Sequence, residues 1–357
     1  MAYPSLLDSL GLAGALKTPV ADVAASIGVG QLLNVDGKLA LLGPNGVVSA
    51  VADVGLLTGG EGSDVLSVVT GTVGSLLGLG GDDILNGGPG DDTLDGGSGN
   101  DKIYGGPGND QLFGRTGDDT IEGGPGDDQL YGGQGSDLIS GQDGNDVIYG
   151  GDGQADPTDA ADIIDGGAGN DSIFANGGND TVYGGAGRDL IFGGVGDDTL
   201  YGGTGPGDVT DEADVIVGGE GSDTIYGNAG DDLIFGGTGF VNPEDTADVI
   251  FGGLGNDTIY GNGGADRIFG NEGNDILIGG KGDDILTGGS GADRFVTFAG
   301  DNANTILDFN AAEGDRLDFA GQAFNAIATS AGTQVVFEDG GSLLLVGVSG
   351  FSYDFFA

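Results

Sequence analysis

Cysteine, histidine and tryptophan are absent from this 357-residue chain, methionine occurs once, and lysine and arginine together supply only nine residues. Without cysteine there is no disulfide staple and no thiolate ligand. Without histidine there is no imidazole ligand, no Ser-His or Cys-His nucleophile, and no zinc hydrolase centre of the usual kind. No enzyme activity is expected. Nine cationic side chains against 57 acidic ones give a formal charge of −48, so nucleic acid is an unsuitable partner. No uninterrupted apolar run reaches the ~18 residues of a membrane span, and no transmembrane segment is expected. The opening MAYPSLLDSLGLAGALK has no basic region ahead of its apolar part and does not read as a secretory leader.

Glycine and acid are what the chain has in excess. Its 83 glycines follow no strict period of three, which excludes collagen and leaves either disorder or a repeat that needs glycine at fixed turns. A charge of −48 repels itself in any compact state unless many cations are bound. Oxygen is the ligand type this composition offers, and abundant carboxylates favour a hard cation.

The acidic residues are periodic. Asp83, Asp92, Asp101, Asp110, Asp119, Asp128, Asp137 and Asp146 follow one another at steps of nine. The step resumes at Asp162, Asp171, Asp180, Asp189 and Asp198, again at Asp214, Asp223 and Asp232, and again at Asp248, Asp257, Asp266, Asp275, Asp284 and Asp293, making 22 units. Two residues after each stands an aliphatic residue or Phe, from Leu85, Leu94 and Ile103 to Leu277, Leu286 and Phe295. One inward residue in nine describes a very short strand. The preceding glycines supply a turn with positive φ that leaves carbonyls and a carboxylate free to converge on a cation.

GGSGNDKIYGGPGNDQLFG, residues 96 to 114, resembles the nonapeptide G-G-x-G-x-D-x-U-x of RTX proteins, calcium-binding proteins exported by Gram-negative bacteria. The resemblance covers about residues 79 to 296, with a separate unit, GGEGSDVLS, at 59 to 67. It implies an all-β fold, a right-handed parallel β-roll (a β-helix solenoid) with two nonapeptides per coil, Ca²⁺ in the turns and small β-rich caps. It further implies that Gly carbonyls and the 22 motif Asp carboxylates hold the ions. Roughly twenty Ca²⁺ would offset about 40 of the negative charges. Without calcium the repeat tract is expected to be largely unfolded.

Three steps measure 16 residues instead of nine: GDGQADPTDAADIIDGG, GGTGPGDVTDEADVIVGG and GGTGFVNPEDTADVIFGG. Each adds seven residues, near 154–160, 206–212 and 240–246, so the following strand resumes in phase. They read as enlarged turns and not as linkers. Because the units alternate between faces, the first and third belong to one edge of the roll and the second to the other. Their extra carboxylates, Asp159, Asp211 and Asp245, either bind another Ca²⁺ or solvate and cap the turn.

The residue after each inward aliphatic points outward. On the even-numbered units it reads Phe113, Tyr131, Tyr149, Phe174, Phe192, Val217, Phe235 and Tyr260; on the odd ones Glu122, Ser140 and Asp165 precede Tyr183, Tyr201, Tyr226, Phe251 and Phe269. These aromatics either stack on one another over a thin roll or offer a face for lateral association.

The ends leave the period. Residues 1–58 are apolar and read as an N-terminal cap or assembly region, with a short helix over Ser5 to Leu16 and a hairpin around Pro44-Asn45-Gly46. The roll is placed at 59–296, with extra strands from 65 to 80 capping its open end. Residues 297–357 read as a C-terminal β cap. Asp293, Phe295, Phe298, Ile306, Asp308, Phe309, Gly314, Asp315, Leu317 and Asp318 resemble the terminal region of serralysin-type RTX proteins, with Asn304 where that family often has Asp. That resemblance implies an uncleaved signal in SYDFFA, read by a type I ABC export apparatus. Serralysin-like catalytic domains have no counterpart here. The expected function is therefore a secreted structural protein that self-assembles with calcium into a surface layer or extracellular matrix, outside or on a Gram-negative cell. The alternative is a secreted adhesin that binds a cell-surface glycan.

Overall fold

A computed structural model describes residues 31–35, 38–42, 47–50, 57–60, 62–68, 75–153, 159–238, 246–298, 300–338 and 340–356. Short strands fill it, and all belong to two sheets, one of 19 strands and one of 14. Successive nonapeptides alternate between them: Thr93–Ser98 lies in the second sheet, Lys102–Tyr104 in the first, Gln111–Thr116 in the second again. Each strand pairs in parallel with the strand two units later. Leu112 sits beside Leu94 on one side and Leu130 on the other, and Ile121 beside Ile103 and Ile139. Two nonapeptides thus make one coil, and the chain is a parallel β-roll.

The alternation of side chains along each strand explains the core. One residue per strand points inward, and all 22 expected positions are buried at 0 or 1 % exposure, from Leu85 to Phe295. They form two facing columns with little else between the sheets. Each coil therefore buries little apolar surface of its own and depends on its neighbours.

The enlarged turns do not disturb the register. Ile139 pairs with Ile164 across the first, Ile191 with Ile216 across the second and Ile225 with Ile250 across the third, each in step with its column. The first and third turns carry the chain from the second sheet to the first, and the second runs the opposite way, which puts them on the expected edges. Of their residues, 154–158 and 239–245, Asp245 included, lie outside the described ones.

The ends differ from the sequence reading in detail. Val65–Val68 and Leu76–Gly80 do form extra strands, but they continue the two sheets in parallel as a further coil. The end of the first sheet is covered instead by an antiparallel meander, in which Lys38–Leu42 pairs with both Gln31–Val35 and Val47–Ala50. This meander contains the expected hairpin, with Leu42 opposite Val48. The helix expected over Ser5 to Leu16 lies outside the described residues. At the other end Ala303–Ile306 and Arg316–Asp318 extend the two sheets by one coil, after which Ser342–Val346, Gly332–Phe337 and Phe324–Ala328 close the first sheet. Phe319 sits among Phe324, Phe337 and Phe356, with ring centroids 5.0 to 5.2 Å away. The terminal Phe355 and Phe356 thus pack into the cap. Among the described residues no helix is long and apolar enough to cross a membrane.

Candidate metal centre

Most turn positions are glycine because the coils approach too closely for a side chain. At Gly126 φ is 142°, and a Cβ placed there would collide with the carbonyl of Gly108 one coil below. Stacking the turns this tightly puts every motif Asp above its counterpart. All 22 are buried, at 0 to 3 % exposure, in two columns: Asp83, Asp101, Asp119 and so on to Asp284 along one edge, and Asp92, Asp110, Asp128 and so on to Asp293 along the other.

One carboxylate oxygen of each Asp is committed. Oδ1 accepts the backbone N–H of the motif Asp in the preceding coil: Asp101 donates to Asp119 at 2.7 Å, Asp119 to Asp137 at 2.8 Å, and Asp137 to Asp162 at 2.8 Å across the first enlarged turn. Oδ2 of Asp101, Asp119, Asp137, Asp162, Asp180 and Asp198 is buried without a hydrogen-bond partner, as is Oδ2 of Asp110, Asp128, Asp146, Asp171 and Asp189 on the opposite edge.

These oxygens face other oxygens. A Cβ added to Gly105 would fall against Oδ2 of Asp110 and 2.6 Å from the carbonyl oxygen of Gly123 in the next coil; at Gly123 it would meet Asp128 Oδ2 and, at 2.8 Å, the carbonyl of Gly141. Each turn thus keeps a small gap lined by a carboxylate and a carbonyl from adjacent coils. This donor set suits a hard, oxygen-seeking cation such as Ca²⁺. Among the described residues no three acidic side chains converge on one point, so carbonyls must supply most of any coordination shell.

Electrostatics calls for a counter-charge in the same place. Burial, aided by like charges in neighbouring coils and opposed by the amide hydrogen bond, pushes Asp119 and Asp198 up to about 8, Asp162 to about 9 and Asp128 to about 7. Ionised carboxylates stacked one coil apart in a dry edge require either protons or a compensating cation.

Among known protein families, the RTX calcium-binding nonapeptide repeat (4 copies) matches at residues 77–112, 104–139, 131–154, 157–191, 175–207, 208–240, 244–277, 260–295 and 269–303, together more than half of the chain. The chain belongs to the RTX calcium-binding nonapeptide-repeat family. It is a calcium-binding β-roll protein, and the repeat is structural, not catalytic. Among solved structures it is similar to a subunit of the Azotobacter vinelandii mannuronan C5-epimerase, with 31 % identity over 30 % of this chain and 74 % of that one, at a TM-score of 0.25. No curated protein matches it.

The RTX columns run further than the strict nine-residue step reveals. Asp64 donates its N–H to Asp83 at 2.6 Å, and at the far end Asn304 and Asp315 accept from Asp284 and Asp293 at 3.0 and 3.1 Å. Their offsets of 19, 20 and 22 residues put them outside the strict count, although the sequence already marked the unit at 59–67, Asn304 and Asp315. Asn304 keeps the acceptor of the expected Asp and drops its charge. The residue just before the motif Asp was missed. It forms a second, exposed ladder in the opposite sense: Asn100 donates its N–H to Asp82, Asp118 to Asn100 and Ser136 to Asp118, at 3.0 to 3.1 Å. The repeated D-D and N-D pairs were its signal in the sequence. In the cap Asp308 accepts the amides of Gly288 and Gly289 at 3.0 and 2.9 Å, and Asp318 pairs with Arg294.

Proposed function

We propose that this protein is an extracellular rod whose folding is switched by calcium and whose copies assemble into a surface layer or extracellular matrix. The two columns of motif Asp, in which Oδ2 of Asp101, Asp119, Asp137, Asp110, Asp128 and Asp146 among others is buried without a donor, carry this reading. In it Asp83 through Asp293 hold the ions, and binding is coupled to folding because no preformed site exists in the repulsive, unfolded chain. Where calcium is scarce, as in cytosol, the chain stays open; in a calcium-rich medium the coils stack. Export through a type I apparatus that reads the C-terminal tail suits this order of events. The roll with its small caps accounts for most of the chain, and stiffness is what stacked coils supply.

A second reading, a glycan-binding adhesin, draws support from the outward aromatic columns. Phe113, Tyr131, Tyr149, Phe174 and Phe192 stack face to face with centroids 4.9 to 5.2 Å apart, and Tyr183, Tyr201, Tyr226, Phe251 and Phe269 do the same at 4.8 to 5.0 Å. Most ring faces are spent on each other, which favours the structural reading. Electron microscopy of the purified chain after addition of millimolar Ca²⁺ separates the two. Sheets or filaments are expected; dispersed rods that bind glycan arrays only with calcium would establish the adhesin instead.

A further inference from the structure

All three enlarged turns are followed, one coil on, by asparagine in place of the motif's second glycine: Asn176, Asn228 and Asn262. Each is in the left-handed region, with φ of 77°, 76° and 71°. Asn tolerates that conformation better than most side-chain-bearing residues, and here two of the three amides reach back into the enlarged turn. Asn228 Nδ2 donates to the carbonyl of Gly205 at 2.8 Å while its Oδ1 accepts the Gly203 N–H at 3.3 Å, and Asn262 Nδ2 donates to the carbonyl of Gly237 at 2.7 Å.

The second enlarged turn is described throughout. Asp208 closes it, accepting the N–H and hydroxyl of Thr204 at 3.2 and 2.6 Å and both those of Thr210 at 3.0 Å. The chain then returns so that Asp211 lies over Gly203. Its Oδ1 accepts the Glu212 N–H at 2.9 Å, but its Oδ2 is buried with no hydrogen-bond partner. Asp214, only 2 % exposed, is in the same condition: Oδ1 takes the Asp189 N–H at 2.8 Å and Oδ2 has no donor. The two carboxyl groups come within hydrogen-bonding reach of each other. A Cβ on Gly203 would lie 2.6 Å from Asp211 Oδ2, and one on adjoining Gly202 would meet Asp214 Oδ2 and, at 2.5 Å, the Gly227 carbonyl of the next coil. Where a regular turn offers one bare carboxylate oxygen beside a carbonyl, this turn offers two.

We propose that the second enlarged turn is a two-carboxylate calcium site, in which Asp211 and Asp214 share one ion with backbone carbonyls and Asn228 of the following coil latches the loop over it. The proposal rests on the motif Asp being calcium ligands and adds a rank order: this ion is held more tightly than those of the regular turns, because affinity for Ca²⁺ rises with the charge and rigidity of the ligands. The seven added residues then serve to bring a second carboxylate to the ion, not to decorate the surface.

Native mass spectrometry of the full chain, dialysed against stepwise lower free calcium, counts the ions retained at each step. The wild type should release most ions together and keep a few to lower calcium. D211N preserves the Oδ1 acceptor for Glu212 but not the charge, and should keep one ion fewer in that last group, its release moving to about tenfold higher free calcium. N228G leaves both carboxylates and restores the motif glycine; it should shift the same ion by a smaller factor. Identical release curves for wild type and both variants would overturn the two-carboxylate site while leaving the regular sites standing. A wild type that takes up no ions at saturating calcium would instead remove the calcium reading beneath it.

Discussion

At the scale of the residue, the motif Asp has two separable jobs. Oδ1 accepts an amide, and in our proposal Oδ2 binds calcium. Asp119 tests the separation. D119N keeps an acceptor for the Asp101 N–H and loses the charge, whereas D119A also strands that buried amide, at a cost of about 1–3 kcal/mol. In calcium at about 100 times the site's dissociation constant, losing one ion costs about 2.7 kcal/mol, so D119N should be destabilised by roughly that amount in urea melts. In chelator at mildly acidic pH it should be neutral or stabilising, since it removes a carboxyl that burial pushes up to about 8. Equal destabilisation with and without calcium would show that the carboxylate is not a ligand. A second residue-scale contrast comes from glycine. G126A puts a methyl group against the Gly108 carbonyl at a φ of 142°, so its Tm in calcium should fall by several degrees, and no increase in calcium should recover it.

At the scale of the element, the nine-residue strand-and-turn was fully legible. Glycine pairs, the Asp and the lone aliphatic residue each answer a separate physical demand, so their coincidence every nine residues leaves one solution. The enlarged turns were legible too, because Ile164, Ile216 and Ile250 resume the phase. What lay beyond the sequence was the partner of each turn. Asn176, Asn228 and Asn262 look like lapses in a glycine pattern until the coil below is in place. The caps themselves were read from the sequence, but their antiparallel pairings were not, because they join segments with no common period, such as Ala326 with Val335 and Val335 with Leu343. The outward columns offer a test at this scale. Val217 interrupts one of them, standing in register between Phe192 and Phe235. V217F should complete a stack from Phe113 to Tyr260 and raise stability in calcium by about 1–3 kcal/mol, as two added aromatic pairs do at about 0.5–1.5 kcal/mol each. An unchanged or lower Tm would mean that the ladder only covers the sheet and does not support it.

At the scale of the whole molecule, protons and calcium compete for the same edges, and the sign of that competition can be worked out. In the folded chain without calcium, burial holds motif carboxyls well above the usual range, at about 6 for Asp110 and Asp146, about 7 for Asp128 and Asp171, and about 9 for Asp162. The folded state therefore binds protons that the unfolded state has already released. Stability from those protons is complete below the ordinary carboxylate pKa near 4 and is lost as pH rises through about 6 to 9. The charge of −48, which grows as the same groups ionise, acts in the same direction. In chelator, circular dichroism should show β-sheet near pH 4 to 5 and its loss by about pH 9. With saturating calcium the sites are ionised in the folded state as they are in the unfolded one, so between pH 6 and 9 folding exchanges almost no protons and Tm should stay level. It should fall only when acid begins to protonate the unfolded chain and displace the ions. A calcium-loaded roll whose Tm follows the chelated one across that range, or a β-rich spectrum that persists in chelator at pH 9, would mean that the stacked carboxylates are stabilised by something other than calcium.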